Sequence, residues 1–436
     1  MTRKVKKAVL LVAGKGKRLY PITRTRPKPM IPFAGKPLLQ YIVEYLRDVG
    51  INEVLLIDGY RKEQIRNHFK DGGRFGIRVK YAEQQEFLGT AHATNIAREF
   101  IGQDCFMLLY GDILMDKGIL EQSLALYERT DVNALLSLFR VDDPEKYGII
   151  QLDDADHVKK IIEKPVDDRY GNLANAGIYI FDSNIFDGIE RTPKSSRGEY
   201  ELTDSMQVLV DEDYKILGMD IKDKYWSDVG HPWQLLDANK HILGQISAEN
   251  KGKVDKRTDL IGSVFIDENA HVKSGSRIEG PVYIGKNTII GPNAYIRPFS
   301  SIGNDCKIGN SSELKNSIVL DGTYIAHLSY AGDSIIGEEV NFGAGSIISN
   351  VRLDKREISM RIKGKVTPTR RKKMGAVIGD RVQLGVNCSI MVGKKIGQNS
   401  RIGANTVIVE DVAENMLVYS KQLLEHKSID EKNPEE

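Results

Sequence analysis

From Ile266 onward an aliphatic residue returns every six positions: Ile266, Val272, Ile278, Ile284, Ile290, Ile296, Ile302, Ile308 and Leu314. The period reappears at Ile336, Phe342 and Ile348, and again at Ile378, Leu384, Ile390, Ile396, Ile402 and Ile408. Glycine often follows, as at Gly285, Gly291, Gly303 and Gly309. Three such hexapeptides make one triangular coil of a parallel β-helix, with the aliphatic side chain stacked inside and small residues at the corners. The step from Leu314 to Ile336 is 22 residues, not a multiple of six, which predicts a loop that breaks the register near His327. Residues 352–376 lack the period and carry Lys355, Arg356, Arg361, Lys363, Lys365 and Arg370–Lys373, which reads as a basic loop projecting from the solenoid.

Residues 1–245 keep a different rhythm. The apolar runs Ala8–Val12, Glu53–Asp58 and Cys105–Asp112 alternate with helical patterns over Pro37–Val49 and Lys62–Phe69. Runs that do not alternate in polarity read as strands buried on both faces. This half is therefore predicted as an α/β domain, Rossmann-like, with a mainly parallel sheet. Ligands of such sheets sit beyond the carboxyl ends of the strands, which puts Gly14 and Asp112 on one edge. Gly14 and Gly16 follow the first run directly and let the backbone turn and approach a ligand. Lys15, Lys17, Arg18, Arg24, Arg26 and Lys28 then supply local positive charge, and a phosphate chain is the matching partner.

With 436 residues the chain exceeds one ordinary core. The boundaries read as 1–245 for the first domain, 246–259 for a linker, 260–426 for the solenoid and 427–436 for a polar, disordered tail. A net charge of +2 gives no reason to expect a nucleic-acid partner. Three cysteines, widely spaced, suggest neither a disulfide framework nor a zinc site and fit a reducing cytoplasm. No apolar run approaches the ~18 residues of a membrane span.

The first half resembles the sugar-1-phosphate nucleotidylyltransferases. Their loop reads G-x-G-T/S-R followed by P-K; Gly14, Gly16, Arg18 and Lys28 match, with Lys17 in place of the hydroxyl residue. "QQEFLGTAHA" is similar to the family's nucleoside segment, "YGD" to its metal-binding strand end, and "YGII", "EKP", "NAGIY" and "WSDVGHP" to its later elements. The resemblance implies nucleotide contacts at Leu11, Ala13, Gly14, Gly16, Gln84, Gly89, Thr90, Tyr110 and Gly111. It implies sugar contacts at Gly148, Glu163, Lys164 and Asn175, and Mg²⁺ ligands at Asp112 and Asp228. Taken singly these residues have bland readings: an Asp after a strand caps a turn, and Glu163–Lys164 is a solvated pair. Their joint order over the whole half is what carries the resemblance.

The chemistry asks for these residue types. A sugar phosphate oxygen attacks the α-phosphate of a nucleoside triphosphate and pyrophosphate leaves. Both reactants are anions, so charge neutralisation is the first requirement. Magnesium is a hard cation suited to oxygen ligands, and Arg18 and Lys28 would stabilise the crowded phosphorus centre as catalytic cations.

The second half resembles the left-handed β-helix acyltransferases, and most closely the acetyltransferase half of bifunctional enzymes that make UDP-N-acetylglucosamine. "IRP" supplies Arg297 and "ELK" supplies Lys315, one coil later; "AHLSYAGD" supplies His327 and Tyr330; "VNFGAGSIISN" supplies Asn341, Ala344 and Asn350. The resemblance implies amino-sugar phosphate contacts at Arg297, Lys315, Tyr330 and Asn341. It implies acetyl-CoA contacts at Ala344, Asn350, Val386, Ala404 and Lys421, although the family has Ser and Arg where Val386 and Lys421 stand. His327 would be the catalytic base, since an imidazole with pKa near ~6.5 accepts a proton from an amine at neutral pH. A homotrimer built through the β-helix is also implied.

Together these resemblances predict a cytoplasmic bifunctional enzyme taking acetyl-CoA, an amino-sugar phosphate and UTP or dTTP as small-molecule substrates, with no membrane partner. One alternative is a glucose-1-phosphate thymidylyltransferase with a regulatory or otherwise acylating solenoid. Asp228 favours it, because the bacterial bifunctional enzymes usually have Asn there. Another is a non-catalytic subunit of a nucleotide-exchange or pyrophosphorylase complex, against which Asp112, Asp228 and His327 argue by being intact.

Overall fold

The computed structural model describes residues 4–163, 165 and 170–427. Lys164 and residues 428–436 of the expected tail lie outside the described residues. The chain forms two compact units, the first running to Ala248 and including Ile362–Lys365, the second comprising Glu249–Arg361 and the chain from Val366 onward.

In the first unit the strand Lys7–Leu11 pairs in parallel with Glu53–Asp58 on one side and Phe106–Tyr110 on the other, and Glu53–Asp58 pairs in turn with Arg78–Glu83. The chain thus builds outward through three strands and then returns to the far side of the first. That reversal opens a crevice between the carboxyl ends of Lys7–Leu11 and Phe106–Tyr110. The first run is apolar throughout because it is covered twice. Ala8 and Leu10 belong to a core that includes Leu39, Ile42, Val43 and Leu46 of the helix Leu38–Asp48. Val9 belongs to another that includes Ala91, Ala93, Leu202 and Met206 on the opposite face. Beyond the parallel core the sheet is mixed: Leu173–Phe181 runs antiparallel to Phe106–Tyr110 and to Ala134–Arg140, and Gly148–Leu152 pairs antiparallel with Val158–Glu163.

The second unit is a left-handed parallel β-helix whose coils contribute strands to three sheets, with eight, nine and eight strands among the described residues. The aliphatic ladder predicted from the period of six forms its core, from Ile266 to Ile408, each residue 3% exposed or less. Apart from glycines, the αL corners are taken mostly by Asn and Asp, including Asn269, Asn287, Asp305, Asn387 and Asn405. Their short polar side chains tolerate that conformation.

Three details differ from the sequence reading. The solenoid already begins at Glu249: Glu249–Asn250, Lys253–Val254 and Asp259–Ile261 pair with the coil above, so most of 246–259 is a first coil rather than a linker. Val254 and Leu260 extend the period of six back from Ile266, although an end coil has a neighbour on one side only and leaves Leu260 40% exposed. Second, no loop interrupts the register near His327. Two successive coils are each one residue short, with Val319 stacking 17 residues after Ile302 and Ile336 stacking 17 after Val319. The missing residue falls at one corner, where Asn316 and Asp333 stand at positive φ and Asn316 Nδ2 donates to Asp333 Oδ1 at 2.7 Å. Third, the basic stretch contains a two-stranded ribbon, Ile358–Ile362 with Lys365–Arg371. Ile358, Met360 and Ile362 are buried along one face of its first strand, which runs close against Gly393. Period-two burial had replaced period six, which is why the hexapeptide rule vanished there.

Candidate functional site

The crevice of the first unit is a cleft of about 630 Å³ lined by the glycine loop on one wall and by Gln84, Gly89 and Thr90 on the other. Gly111 N donates to Leu11 O at 2.9 Å and Val12 N to Ile57 O at 2.9 Å, so the loops at the cleft floor continue the strand ladder. Leu11, Ala13, Gly14, Gly16, Arg18, Lys28, Tyr110 and Asp112 all line the cleft. Gly111 stands directly behind it: a Cβ there would come within 2.2 Å of Val12 Cγ1.

Lys28 is 5% exposed and forms the electrostatic centre. Its Nζ donates to Asp112 Oδ2 at 2.8 Å and to the backbone oxygen of Asp228. The Asp228 carboxylate accepts from Gln234 Nε2 at 2.7 Å through Oδ1, while its Oδ2 lies 4.0 Å from Arg18 Nη2. Two carboxylate residues separated by 116 positions thus meet around one buried ammonium. Val229, between Asp228 and Gly230, is fully buried with φ of 41°. A β-branched residue seldom adopts that left-handed conformation, and the strain is of the kind held at functional turns.

The oxygen-only donor set of Asp112 and Asp228 fits a hard divalent cation, leaving further coordination positions for phosphate oxygens and water. Among the described residues no cluster of three or more His, Cys, Asp or Glu side chains forms a closed metal cage.

Gln84 is buried, and its Nε2 donates to Gly89 O at 3.2 Å across the loop it begins. Its oxygen remains as the acceptor on that side chain. Gly89 has φ of 112°, and a Cβ there would collide with Tyr200 O at 2.3 Å, so only glycine allows this close crossing. Thr90 Oγ1 accepts from Leu202 N at 2.9 Å. Tyr110 is held by burial with its pKa pushed up to about 12, partly offset by hydrogen bonds to Tyr179 and Thr90. Asn175 lies at a bulge in Leu173–Phe181, donating to Tyr179 Oη at 2.6 Å and accepting from Gly177 N at 3.0 Å. Gly148 faces Glu163 across the Gly148–Leu152 ribbon, and Glu163 Oε1 accepts from Arg197 Nη2 at 3.2 Å. The sequence reading passed over Gln234, Tyr179, Tyr200 and Arg197, which hold the expected residues in place. Tyr200 and Arg197 reach partners remote in sequence, whereas Gln234, in the helix Pro232–Gly244, lies six positions from Asp228 and Tyr179 four from Asn175.

The second unit carries a separate arrangement. Ile296 stacks under Leu314, so Arg297 and Lys315 project from adjacent coils on one face. Arg297 Nη1 pairs with Glu313 Oε1 at 2.9 Å, and Lys315 Nζ lies 4.0 Å from Asp333 Oδ2. Burial lowers the pKa of Lys315, and neighbouring Lys373 and Arg297 add to that effect, while Asp333 opposes it. Tyr330 packs on the same face with its pKa raised by burial and by Asp333 and Glu313. Asn350 Nδ2 donates to Asp333 Oδ2 at 2.5 Å and also reaches Tyr330. Asn350 therefore stands in the lysine–tyrosine cluster rather than among the other residues expected to meet acetyl-CoA. Asp333 organises that cluster and was missed, although it closes the quoted "YAGD".

His327 is exposed at the next corner. Because Ile325, Phe342, Leu384 and Ile402 stack coil on coil, the residues two positions later, His327, Ala344, Val386 and Ala404, form a column. Its rungs are Gly345 N to His327 O at 3.3 Å, Asn387 N to Ala344 O at 2.8 Å and Asn405 N to Val386 O at 2.9 Å. Lys421 follows the last coil and is exposed. Asn341 pairs between Tyr324 and Gln383 on the adjoining face, apart from the Lys315 cluster.

Residues 7–245 match the nucleotidyl transferase family model, residues 278–392 the GMPPB C-terminal domain, and residues 375–410 the hexapeptide repeat of succinyl-transferase. The Bifunctional protein GlmU of Methanococcus maripaludis is 43% identical over 96% of this chain and 98% of its own length. The chain belongs to this bifunctional family. A second member, the bifunctional sugar-1-phosphate nucleotidylyltransferase/acetyltransferase of Sulfurisphaera tokodaii, is 39% identical over 93% of this chain and 98% of its own. Family membership makes the chain a transferase and accounts for both folds. The first unit also resembles a solved putative glucose-1-phosphate thymidylyltransferase from Bacillus anthracis, with 27% identity, a TM-score of 0.50, and 56% of this chain and 97% of that one covered. Among the described residues no helix is long and apolar enough to cross a membrane.

Proposed function

We propose that the solenoid acetylates glucosamine-1-phosphate with acetyl-CoA, and that the first unit joins the product to UTP, giving UDP-N-acetylglucosamine and pyrophosphate. The observation that carries this reading is the presence of two separate charge arrangements in one chain: Lys28 between Asp112 and Asp228, and Lys315 with Asp333 on the solenoid. The nucleotidyl reaction belongs to residues 1–245 and acetyl transfer to 260–426.

In the first reaction the amine of the amino sugar attacks the thioester carbon. His327 takes the amine proton, and the carbon–sulfur bond breaks to release CoA thiol. Arg297, Lys315 and Tyr330 hold the sugar phosphate, with Asn350 orienting Tyr330. Acetyl-CoA lies along Ala344, Val386 and Ala404, whose rungs rise by ~4.8 Å per coil, and Lys421 takes its phosphates. Asn341 completes the amino-sugar side.

In the second reaction a phosphate oxygen of N-acetylglucosamine-1-phosphate forms a bond to the α-phosphorus as the bond to pyrophosphate breaks. Lys28 and Arg18 balance the charge that gathers there. Asp112 and Asp228 would hold Mg²⁺, which neutralises phosphate charge when bound. Glu163, Lys164, Asn175 and Gly148 orient the sugar. The Gln84 oxygen accepts from the imide N–H that uracil and thymine share, whereas cytosine offers a lone pair at that position. Asp228 and the thymidylyltransferase-like fold favour a second reading in which dTTP replaces UTP. The family expectation of a homotrimer and a cytoplasmic setting accompanies this reading.

The test is a substrate panel on the purified protein: glucosamine- and galactosamine-1-phosphate with acetyl-CoA, then the acetylated products with Mg²⁺ and UTP or dTTP. Thiol release that needs an amino-sugar phosphate, followed by pyrophosphate release, is expected. No acetylation of either amino sugar phosphate overturns the first reaction, and no pyrophosphate with either nucleotide overturns the second.

A further inference from the structure

Phe87 stands at the mouth of the nucleotidyl cleft, 47% exposed on a wall it shares with Gln84 and Thr90. The loop is tied down on either side of it. Gln84 N donates to Asp58 O at 2.8 Å, Tyr200 N donates to Leu88 O at 2.7 Å, and Gln84 Nε2 ties the loop to Gly89 O. Across the cleft the ammonium of Lys15, on the glycine loop, sits 5.6 Å from the Phe87 ring centroid. A half-exposed aromatic ring on a tethered loop beside a base-reading amide is a surface suited to a planar heterocycle.

We propose that Phe87 is the stacking platform for the nucleobase, and that Lys15 leaves its ring for the phosphate chain when a nucleoside triphosphate binds. An exposed cation–π contact is weak, whereas a triphosphate offers Lys15 several charged oxygens. The exchange frees the ring face for the base as the phosphates dock. Stacking reads the face of a base and not its edge, so Phe87 contributes affinity while Gln84 makes the choice of base. This assignment rests on the nucleotidyl reading above and adds the means by which the base is gripped.

The experiment uses the full-length protein. Phe87→Ala is expected to raise KM for the nucleotide about tenfold while kcat stays within about twofold. It should lower kcat/KM for UTP and dTTP by the same factor, and Phe87→Tyr should restore the wild-type KM. A KM in Phe87→Ala within about twofold of wild type, or a loss confined to kcat, overturns the assignment. Phe87→Trp supplies a readout that needs no catalysis: its emission, over the background of Trp226 and Trp233, should fall as UTP is added. Emission unmoved at UTP concentrations that saturate the wild-type protein also overturns it. A wild-type protein that binds UTP but forms no sugar nucleotide would instead sink the proposed second reaction, with the Phe87→Trp signal still deciding the stacking.

Discussion

The two units assemble their sites by opposite rules. In the solenoid, residues that meet lie one coil apart, and outside the inserted ribbon, which stretches the step from Phe342 to Leu384 to 42 residues, sequence distance converts directly into height along the axis. His327, Ala344, Val386 and Ala404 form one column because the inward ladder beside them stacks. In the α/β unit the residues that meet are scattered: Lys28 reaches Asp112 across 84 positions and Asp228 across 200. A solenoid site can therefore be located by counting, while an α/β site depends on how separate loops return to one sheet edge. The same contrast applies to energetics. Solenoid coils are stabilised by nearest neighbours, whereas the α/β unit has cores on both faces of one sheet.

The sharpest way to break this separation is His327→Ala. Acetyl transfer should fall by about 10²–10⁴-fold, with pyrophosphate release unchanged. Equal loss of both activities, with melting intact, would show that the two sites do not act independently.

Ile308→Ala tests the stacking itself. Removing this fully buried rung should cost about 2–5 kcal/mol. Hydrogen exchange should rise mainly in the coils next to it. A uniform rise through residues 4–163 would contradict the nearest-neighbour picture.

A smaller effect distinguishes the units by pH. His68, in the first unit, has its pKa lowered to about 4 by burial and then by Arg74, with Phe69 and Phe75 packed against it. The neutral form is the one the fold accepts. The unfolded chain binds the proton first as pH falls from about 6.5. Stability is therefore full above that value and declines down to about pH 4. Allowing for partial exposure, the loss is on the order of 1–2 kcal/mol. His68→Gln should flatten this slope in a pH series of denaturant melts, and an unchanged slope would assign it to other groups.

The mildest prediction concerns Val229. Val229→Gly relieves the φ strain but deletes a fully buried isopropyl group, so the two effects oppose and stability should change by no more than about 2 kcal/mol. Freed from the strained turn, Asp228 should require a few-fold more Mg²⁺ for half-maximal nucleotidyl transfer, and acetyl transfer should not respond. An unaltered Mg²⁺ requirement would mean that Gln234 alone positions the carboxylate.

The aliphatic period, the doubly buried strands and the ordered motifs were legible because each is local: a core-facing position repeats at a distance set by coil or strand geometry, and a glycine turn follows its own strand. One-dimensional counting even exposed the irregularity between Leu314 and Ile336. What it could not decide was that two corners each lacked a residue, because several combinations of short steps give the same total. Nor could it see that Asn350 turns toward Asp333 and Tyr330, that Gln84 ties its nitrogen to Gly89, or that one ammonium sits between Asp112 and Asp228. Those facts depend on directions in space between segments that sequence separation does not encode, and only the packed tertiary structure determines them.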